Sequence, residues 1–471
     1  GQDRECPGFA PNSELYIFRV FTNARVSFTS WFLDAFNYAI HTKVDVLNLS
    51  IGGPDFMDKP FVEKVWELSA NNIIVVSAIG NDGPVYGTLN NPADMLDVIG
   101  VGGVDFFDKV ASFSSRGMTT WELPEGYGRV KPDVMAFGQS VIGSRPHEGC
   151  RSLSGTSVAS PVVAGAVALL VSSVPEVYRS DIVNPASIKQ VLIETAELVG
   201  DANIFEQGHG RVNLVGAYEA LAAYTPRASV LPSSLDLTDC PYMWPYCSQP
   251  LYHSAMPVIV NTTVINGMGV AGSFFGEPQW LPGRNGEVLD IAFTYSEILW
   301  PWSGYLALHI RVNEAGAEFE GEAEGLVQFV VVSPPSVGED RPRYTSLQLP
   351  VKVNVIPTPA RSKRLLWDQF HSLNYPPGFL PSDVLWDKSD PFDWNGDHLH
   401  TNFRALYTKL RSLHYFVEVL GGPFTCFDAE NYAALLVVDP EEDFFQEEAE
   451  KLLEDMRERE LSVIVLADWY N

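Results

Sequence analysis

The segment Ser154-Gly155-Thr156-Ser157-Val158-Ala159-Ser160-Pro161 runs straight into the apolar stretch Val162–Leu170. A small residue and then a serine at the mouth of a long buried helix place a hydroxyl where backbone N–H groups converge. That position suits an attacking oxygen and the oxyanion its attack creates. It equally suits an ordinary Ser/Thr N-cap, and the segment alone does not separate the two. A second segment, Ile73 to Gly83, reads as a buried strand ending in the turn Gly80-Asn81-Asp82-Gly83. Asn81 can donate an N–H to an oxyanion without bringing charge; a turn asparagine tolerating left-handed backbone is the plain alternative. In a third segment, Asn48-Leu49-Ser50-Ile51-Gly52-Gly53, the exposed end of a strand could pair with an extended peptide by β-augmentation.

Other side chains invite chemistry less. His41 is expected at a helix end, His147 in the loop before the Gly-Thr-Ser segment, and His209 in the turn Gly208-His209-Gly210. None is expected to serve as a general base, because geometry must come first. Asp397-His398-Leu399-His400 has the spacing to bring two imidazoles onto a metal, but a hydrogen-bonded loop leading to Asn402 as a helix cap is preferred, and no metal site is expected. Of five cysteines, Cys240 and Cys247 flank a Pro/Trp-rich turn, a candidate disulfide loop, and no C-x-x-C spacing argues for zinc. Cys426 lacks the glycine-rich elbow of a hydrolase nucleophile and reads as a core or loop thiol. Asn261-Thr262-Thr263 is a glycosylation sequon on a β surface; Asn48-Leu49-Ser50 fits the same pattern but is discounted as part of a buried-looking strand. Cysteines and sequon together favour an oxidising lumen.

The elements that must hold these residues fall into three regions. Residues 1–225 alternate short strands (Leu15–Val20, Val44–Leu49, Ile73–Ser77, Val98–Val101, Val134–Ala136) with helical stripes such as Phe32, Ala35, Phe36 and Ala39. Alternation of this kind predicts an α/β domain with a parallel sheet covered on both faces, its chemistry on loops beyond the carboxyl ends of the strands. The apolar run from Val158 contains Pro161 and falls short of a clean bilayer span, so a buried helix is expected. Over 226–358 the period changes to two, which predicts a β-sandwich or barrel. Residues 359–471 return to alternation and predict a second small α/β domain. Arg361-Ser362-Lys363-Arg364 opens it as a linker in preference to an exposed cleavage site. Acids outnumber bases 59 to 31, a formal charge of −28, which disfavours nucleic acid and anionic lipid as partners.

In this order, the Gly-Thr-Ser, Gly-Asn-Asp-Gly and Asn-Leu-Ser-Ile-Gly-Gly segments resemble the subtilisin-like serine proteases. Gly208 to Asn213 is similar to the end of that family's catalytic domain. Cys240–Cys247 with its tryptophan, Leu299 to Tyr305 and Asp393 to Phe403 resemble downstream regions of its membrane-anchored proprotein convertases. The resemblance implies a subtilisin-like fold with Ser157 as nucleophile and Asn81 as oxyanion donor. It implies that Ser50, Ile51 and Gly52 line one wall of a peptide groove and that Ser77, Ala78, Ile79 and Gly80 border the pocket before the scissile bond. The reaction implied is acyl transfer through an acyl-enzyme. Implied partners are protein substrates, namely membrane-tethered transcription-factor precursors or proproteins with arginine four residues before the cut and an aliphatic residue two before it. An inhibitory prosegment, autocatalytic maturation, calcium, a membrane anchor outside this chain, and a location in the lumen of the endoplasmic reticulum or Golgi are implied as well.

The chain departs from the family in one respect. The family's order is Asp, His, Ser, and both partners should precede Leu15. The fourteen residues before it contain Asp3 but no His, no Asp-Thr-Gly and no His-Gly-Thr. Starting at Gly1 without Met and stopping after a strand-like run, the chain is expected to be a piece of a longer protein whose Asp and His lie upstream, inactive by itself. The alternative is a pseudoprotease that keeps the groove and binds peptides without cutting them. Residues 359–471 present no recognisable constellation, so an adaptor or stabilising module is expected there rather than an independent small-molecule enzyme.

Overall fold

The computed structural model describes residues 6, 8–53, 58–119, 128–145, 149–336, 338–372, 398–440 and 443–467. Asp3, His147 and Asp393–Asp397 lie outside the described residues.

The first sheet is all parallel, in the order β1 (Val46–Leu49), β2 (Ile74–Ala78), β3 (Ile99–Val104) and Val134–Phe137. Strand alternation sends neighbouring side chains of β2 to opposite faces. Ile74 and Val76 join Val163, Val167 and Leu170 of helix α3 (Thr156–Ser173), whereas Val75 joins Phe32 and Phe36 of α1 (Thr29–Thr42) and Val65 and Leu68 of α2 (Lys59–Ala70). Helices therefore cover both faces, and the continuous apolar run of β2 is what a sheet buried on both sides requires. By length and composition alone α3 could cross a membrane, with a mean hydropathy of 1.7. In the fold it is the core helix that packs against all four strands.

Leu15–Val20 is not a strand. Leu15 and Ile17 are 71% and 83% exposed, and no ladder among the described residues takes up their backbone groups. A period-two pattern becomes a strand only where another backbone completes its hydrogen bonds.

Two antiparallel-rich sheets follow. One orders Leu289–Tyr295, Ser303–Val312, Val258–Asn266 and Ala228–Leu231; the other orders Leu235–Asp236, Arg343–Val355, Gly321–Ser333 and Ser273–Phe274, with Gln279–Pro282 also on Gly321–Ser333. Their inner faces share a core that includes Val260, Leu308, Val327 and Leu349. The last sheet is parallel, ordered Phe416–Leu420, Arg364–Asp368, Ala434–Val438 and Ser462–Leu466. Helix Arg404–Ser412 starts from Phe403 without a side-chain cap; Asn402 instead accepts the backbone N–H of His398 at 3.0 Å, so the expected cap braces the loop. Arg361 donates to Tyr432 O at 2.8 Å, and Arg364, 2% exposed, donates to Ser254 O at 2.9 Å, so this basic run bonds to the last region and to the one before it.

Candidate active site

Helix α3 begins at Thr156, so Ser157 is its second residue. Its N-cap is Gly155 at φ +148°, a region open almost only to glycine, with no side-chain cap bond. Ser154 is engaged elsewhere, accepting the N–H of Ser140 at 2.9 Å. Neither serine caps the helix, and the hydroxyl of Ser157 is left to other partners. It donates to Ser50 O at 3.1 Å, just past the end of β1. Pro161 has no N–H to offer the carbonyl of Ser157 four residues back, which loosens the helix's opening turn.

Asn81 follows the carboxyl end of β2. Its Oδ1 accepts the backbone N–H of Thr156 at 2.8 Å and lies 3.1 Å from Thr156 Oγ1. The same hydroxyl bridges to Gly80, 3.0 Å from its O and 3.2 Å from its N. With the oxygen of the amide held this way, Nδ2 is the end left to donate. The residue before it, Gly80, stands at φ +117°, and a Cβ there would sit 2.5 Å from Ser115 Oγ.

Ser157, Asn81, Thr156, Ser50, Ile51, Gly52, Ala78 and Gly80 line one open cavity of about 440 Å³. Phe21, Phe28, Phe32 and Phe61 form an apolar wall, with Asn90, Asn91 and Asp58 among the polar groups. Two residues expected to border the pocket do not line it. Ser77 is fully buried in β2 opposite Gly100, and Ile79 packs against Leu89 and Ala93, because alternate side chains of an extended segment turn away from each other. Asn48 is exposed rather than buried, though its amide is taken: Oδ1 accepts Ser160 Oγ at 2.7 Å and Nδ2 donates to Ser50 Oγ at 3.0 Å.

No described histidine is bonded to Ser157. His41 lies in the last turn of α1, and His209 Nδ1 sits 3.2 Å from Asp133 O. His398 and His400 are buried, the N–H of His400 donating to His398 Nδ1 at 3.0 Å and its ring stacking edge-on to Tyr407. Among the described residues no group of three or more His, Cys, Asp or Glu side chains is placed to hold a metal ion.

A cluster of buried charges with shifted pKa values lies beside the sheet and does not line the cavity. Lys131 and Lys189 both pair with buried Asp133, at 2.6 and 2.9 Å, and donate to Val98 O. Burial pulls Lys131 down to about 7, and pushes Asp97 up; burial would also raise Asp133, but the two lysines outweigh it and hold that carboxyl low. The N–H of Gly100 donates to Asp133 Oδ2 at 2.8 Å, so this cluster fixes β3 to the strand Val134–Phe137.

Sequence reasoning missed one disulfide. Cys6 and Cys150 are bonded across 144 residues, tying the N-terminal segment to the strand before the Gly-Thr-Ser turn, and Cys240 is bonded to Cys247. Nothing in the local spacing of Cys6 or Cys150 could have paired them. Cys426 is free and exposed.

Comparison with known proteins places the chain's regions in families. Residues 2–210 match the subtilase family, residues 231–358 a model described as MBTPS1, third Ig-like domain, and residues 359–471 one described as MBTPS1, fourth GATase-like domain. The chain is 62% identical over 472 residues to the membrane-bound transcription factor site-1 protease of Cricetulus griseus, covering 99% of this chain and 44% of that protein. It is 61% identical to the subtilisin-like protease SBT6.1 of Arabidopsis thaliana, covering all of this chain and 46% of that one. The chain thus spans less than half the length of these relatives. Subtilisin DY of Bacillus licheniformis is 37% identical over 214 residues, 45% of this chain and 70% of that protein. On this last identity and coverage, and on the family match over residues 2–210, the chain belongs to the subtilase family.

Proposed function

We propose that the whole protein is a serine endopeptidase in which Ser157 attacks the scissile carbonyl and Asn81 Nδ2 donates to the oxyanion. The observation that carries this reading is the amide of Asn81, held by Thr156 beside the hydroxyl of Ser157 at one cavity. A hydroxyl at the start of a helix also meets the helix's own unsatisfied N–H groups, which favour negative charge as the tetrahedral intermediate forms. Ser157 loses its proton to a base supplied by residues beyond this chain, and the acyl-enzyme is released by water. Ser50, Ile51 and Gly52 form one wall of the groove, and Ala78 and Gly80 border the pocket; Ser77 and Ile79 support them from behind. Protein substrates, among them membrane-tethered precursors and proproteins, an inhibitory prosegment, a membrane anchor and a lumenal location in the endoplasmic reticulum or Golgi complete the proposal. The bonded cysteines support the lumenal part, and Asn261 on its half-buried strand is the proposed glycan site. The chain is proposed to divide at about 225 and 358, the first unit carrying the chemistry.

Labelling the whole protein with a fluorophosphonate, beside a Ser157→Ala variant, tests this. Label on the parent and none on the variant is expected; equal labelling removes Ser157 from its role. A second reading rests on Ser157 bonding to a backbone carbonyl and to no described histidine: a peptide-binding pseudoprotease, which predicts label on neither.

A further inference from the structure

The loop after β2 leaves the sheet at Asn81 and returns at Asn90 and Asn91, and all three line the cavity. Its base is tied down: Asn90 donates to Ile79 O at 2.9 Å, Asn91 to Gly53 O at 2.7 Å, and Ser115 to Gly80 O at 3.0 Å. Its apex, Tyr86-Gly87, is held by parts of the chain far away in sequence. Tyr86 is 7% exposed, its ring joins the apolar core of the β-sandwich, and its hydroxyl accepts Asn203 Nδ2 at 2.7 Å.

The guanidinium of Arg404 lies 4.5 Å from the centre of the Tyr86 ring and 4.6 Å from that of Trp244, inside the Cys240–Cys247 loop. Those two rings meet edge to face at 5.6 Å. Next to it, Thr401 Cβ stands 3.2 Å from where a Cβ on Gly87 would be, and Gly87 is at φ +79°. Arg404 Nε is buried without a hydrogen-bond partner. Its hold on the loop is through the ring faces, an interaction that strengthens when the cation is shielded from water. Behind it, Trp244, His400 and Tyr407 pack ring against ring, and Tyr407 OH bonds to Ser248 Oγ at 2.6 Å.

We propose that Arg404 is a positioning residue for peptide cleavage: by clamping Tyr86 against Trp244 it fixes the loop that carries Asn81, so the segment 398–404 sets the aim of the oxyanion donor. This gives the third region a task in a reaction whose groups its described residues do not touch. The proposal rests on Asn81 being the oxyanion donor proposed above.

The test is a double-mutant cycle in the whole protein, with kcat and KM measured on one peptide substrate. Arg404→Met keeps a long apolar stem and removes the cation and its plane. It should lower kcat by about 2- to 30-fold, the span of coupling effects carried through packed side chains, with KM within about twofold. In an Asn81→Ala background the same change should have no further effect on kcat. Arg404→Lys, which keeps a cation but loses the planar stack, should fall between parent and Met; it also serves if the Met variant does not accumulate. Unchanged kcat in both Arg404 variants, or an equal loss with and without Asn81, overturns the proposal. An Asn81→Ala variant with parental kcat instead overturns the oxyanion reading itself, and this inference with it.

Discussion

A serine hydroxyl is a weak nucleophile, and what distinguishes Ser157 from the other serines of this chain is its surroundings. Thr156 holds Asn81 Oδ1 through both N–H and hydroxyl, so the amide presents its donor to the cavity. Asn81→Ala should therefore lower kcat by about 10²–10³-fold with little change in KM, the loss a subtilisin suffers when its own oxyanion-hole asparagine is removed; steady-state kinetics on the whole protein check it. Residue types and spacing made Ser157 and Asn81 legible as candidates. The grip of Thr156 on the amide was not, since it depends on two turns meeting 75 residues apart. Lys131 makes a separate residue-scale prediction. Its pKa falls from 10.5 to about 7, mainly through burial. Between those values the unfolded chain holds a proton that the folded one does not, so stability rises with pH across that window. Urea midpoints at pH 7, 8 and 9 should rise for the parent relative to Lys131→Met; parallel curves would remove the effect.

At the scale of elements, the start of α3 depends on backbone that only glycine adopts easily. Gly155→Ala would meet no hard clash, the nearest atoms being 3.6 Å away, so its cost is backbone strain of about 1–3 kcal/mol, read as a lower unfolding midpoint. The two disulfides should differ in a way loop length sets. Under the chain-entropy model, opening Cys6–Cys150, 144 residues apart, costs about 5 kcal/mol, and opening Cys240–Cys247, 7 apart, about 2 to 3. Denaturant unfolding of the Cys150→Ala and Cys247→Ala variants ranks them, and the reverse order would contradict the model. Periodicity located the elements where burial is two-sided: Ile74–Ala78 and Ala434–Val438 are buried along their whole length, as their apolar runs implied. It failed at Leu15–Val20, which has the composition of a strand and no pairing neighbour among the described residues. Pattern reports what a segment can bury, whereas pairing is a property of the rest of the molecule.

Across the whole molecule, the third region is sewn to the sandwich by buried charge. Glu418 bonds to Arg364 at 2.9 Å and to Tyr252 and Tyr432 at 2.6 and 2.7 Å, with both ionic side chains under 4% exposed. Burial works against the charge on Arg364, but Glu418 more than compensates and raises its pKa. Glu418→Ala should strand Arg364 and cost about 3–5 kcal/mol, and calorimetry should then show the last region melting before the rest. Unchanged melting would mean the seam is held by packing alone. No reading of one sequence could have joined Arg404 to Tyr86 or Glu418 to Tyr252, because such contacts belong to the packing of sheets and not to any local spacing. The most direct measurement is a crystal structure of the whole protein treated with a peptidyl phosphonate. A bond from Ser157 Oγ to phosphorus is predicted, with a phosphoryl oxygen about 3 Å from Asn81 Nδ2. An unmodified Ser157, or an adduct whose oxygen faces away from Asn81, would contradict the account.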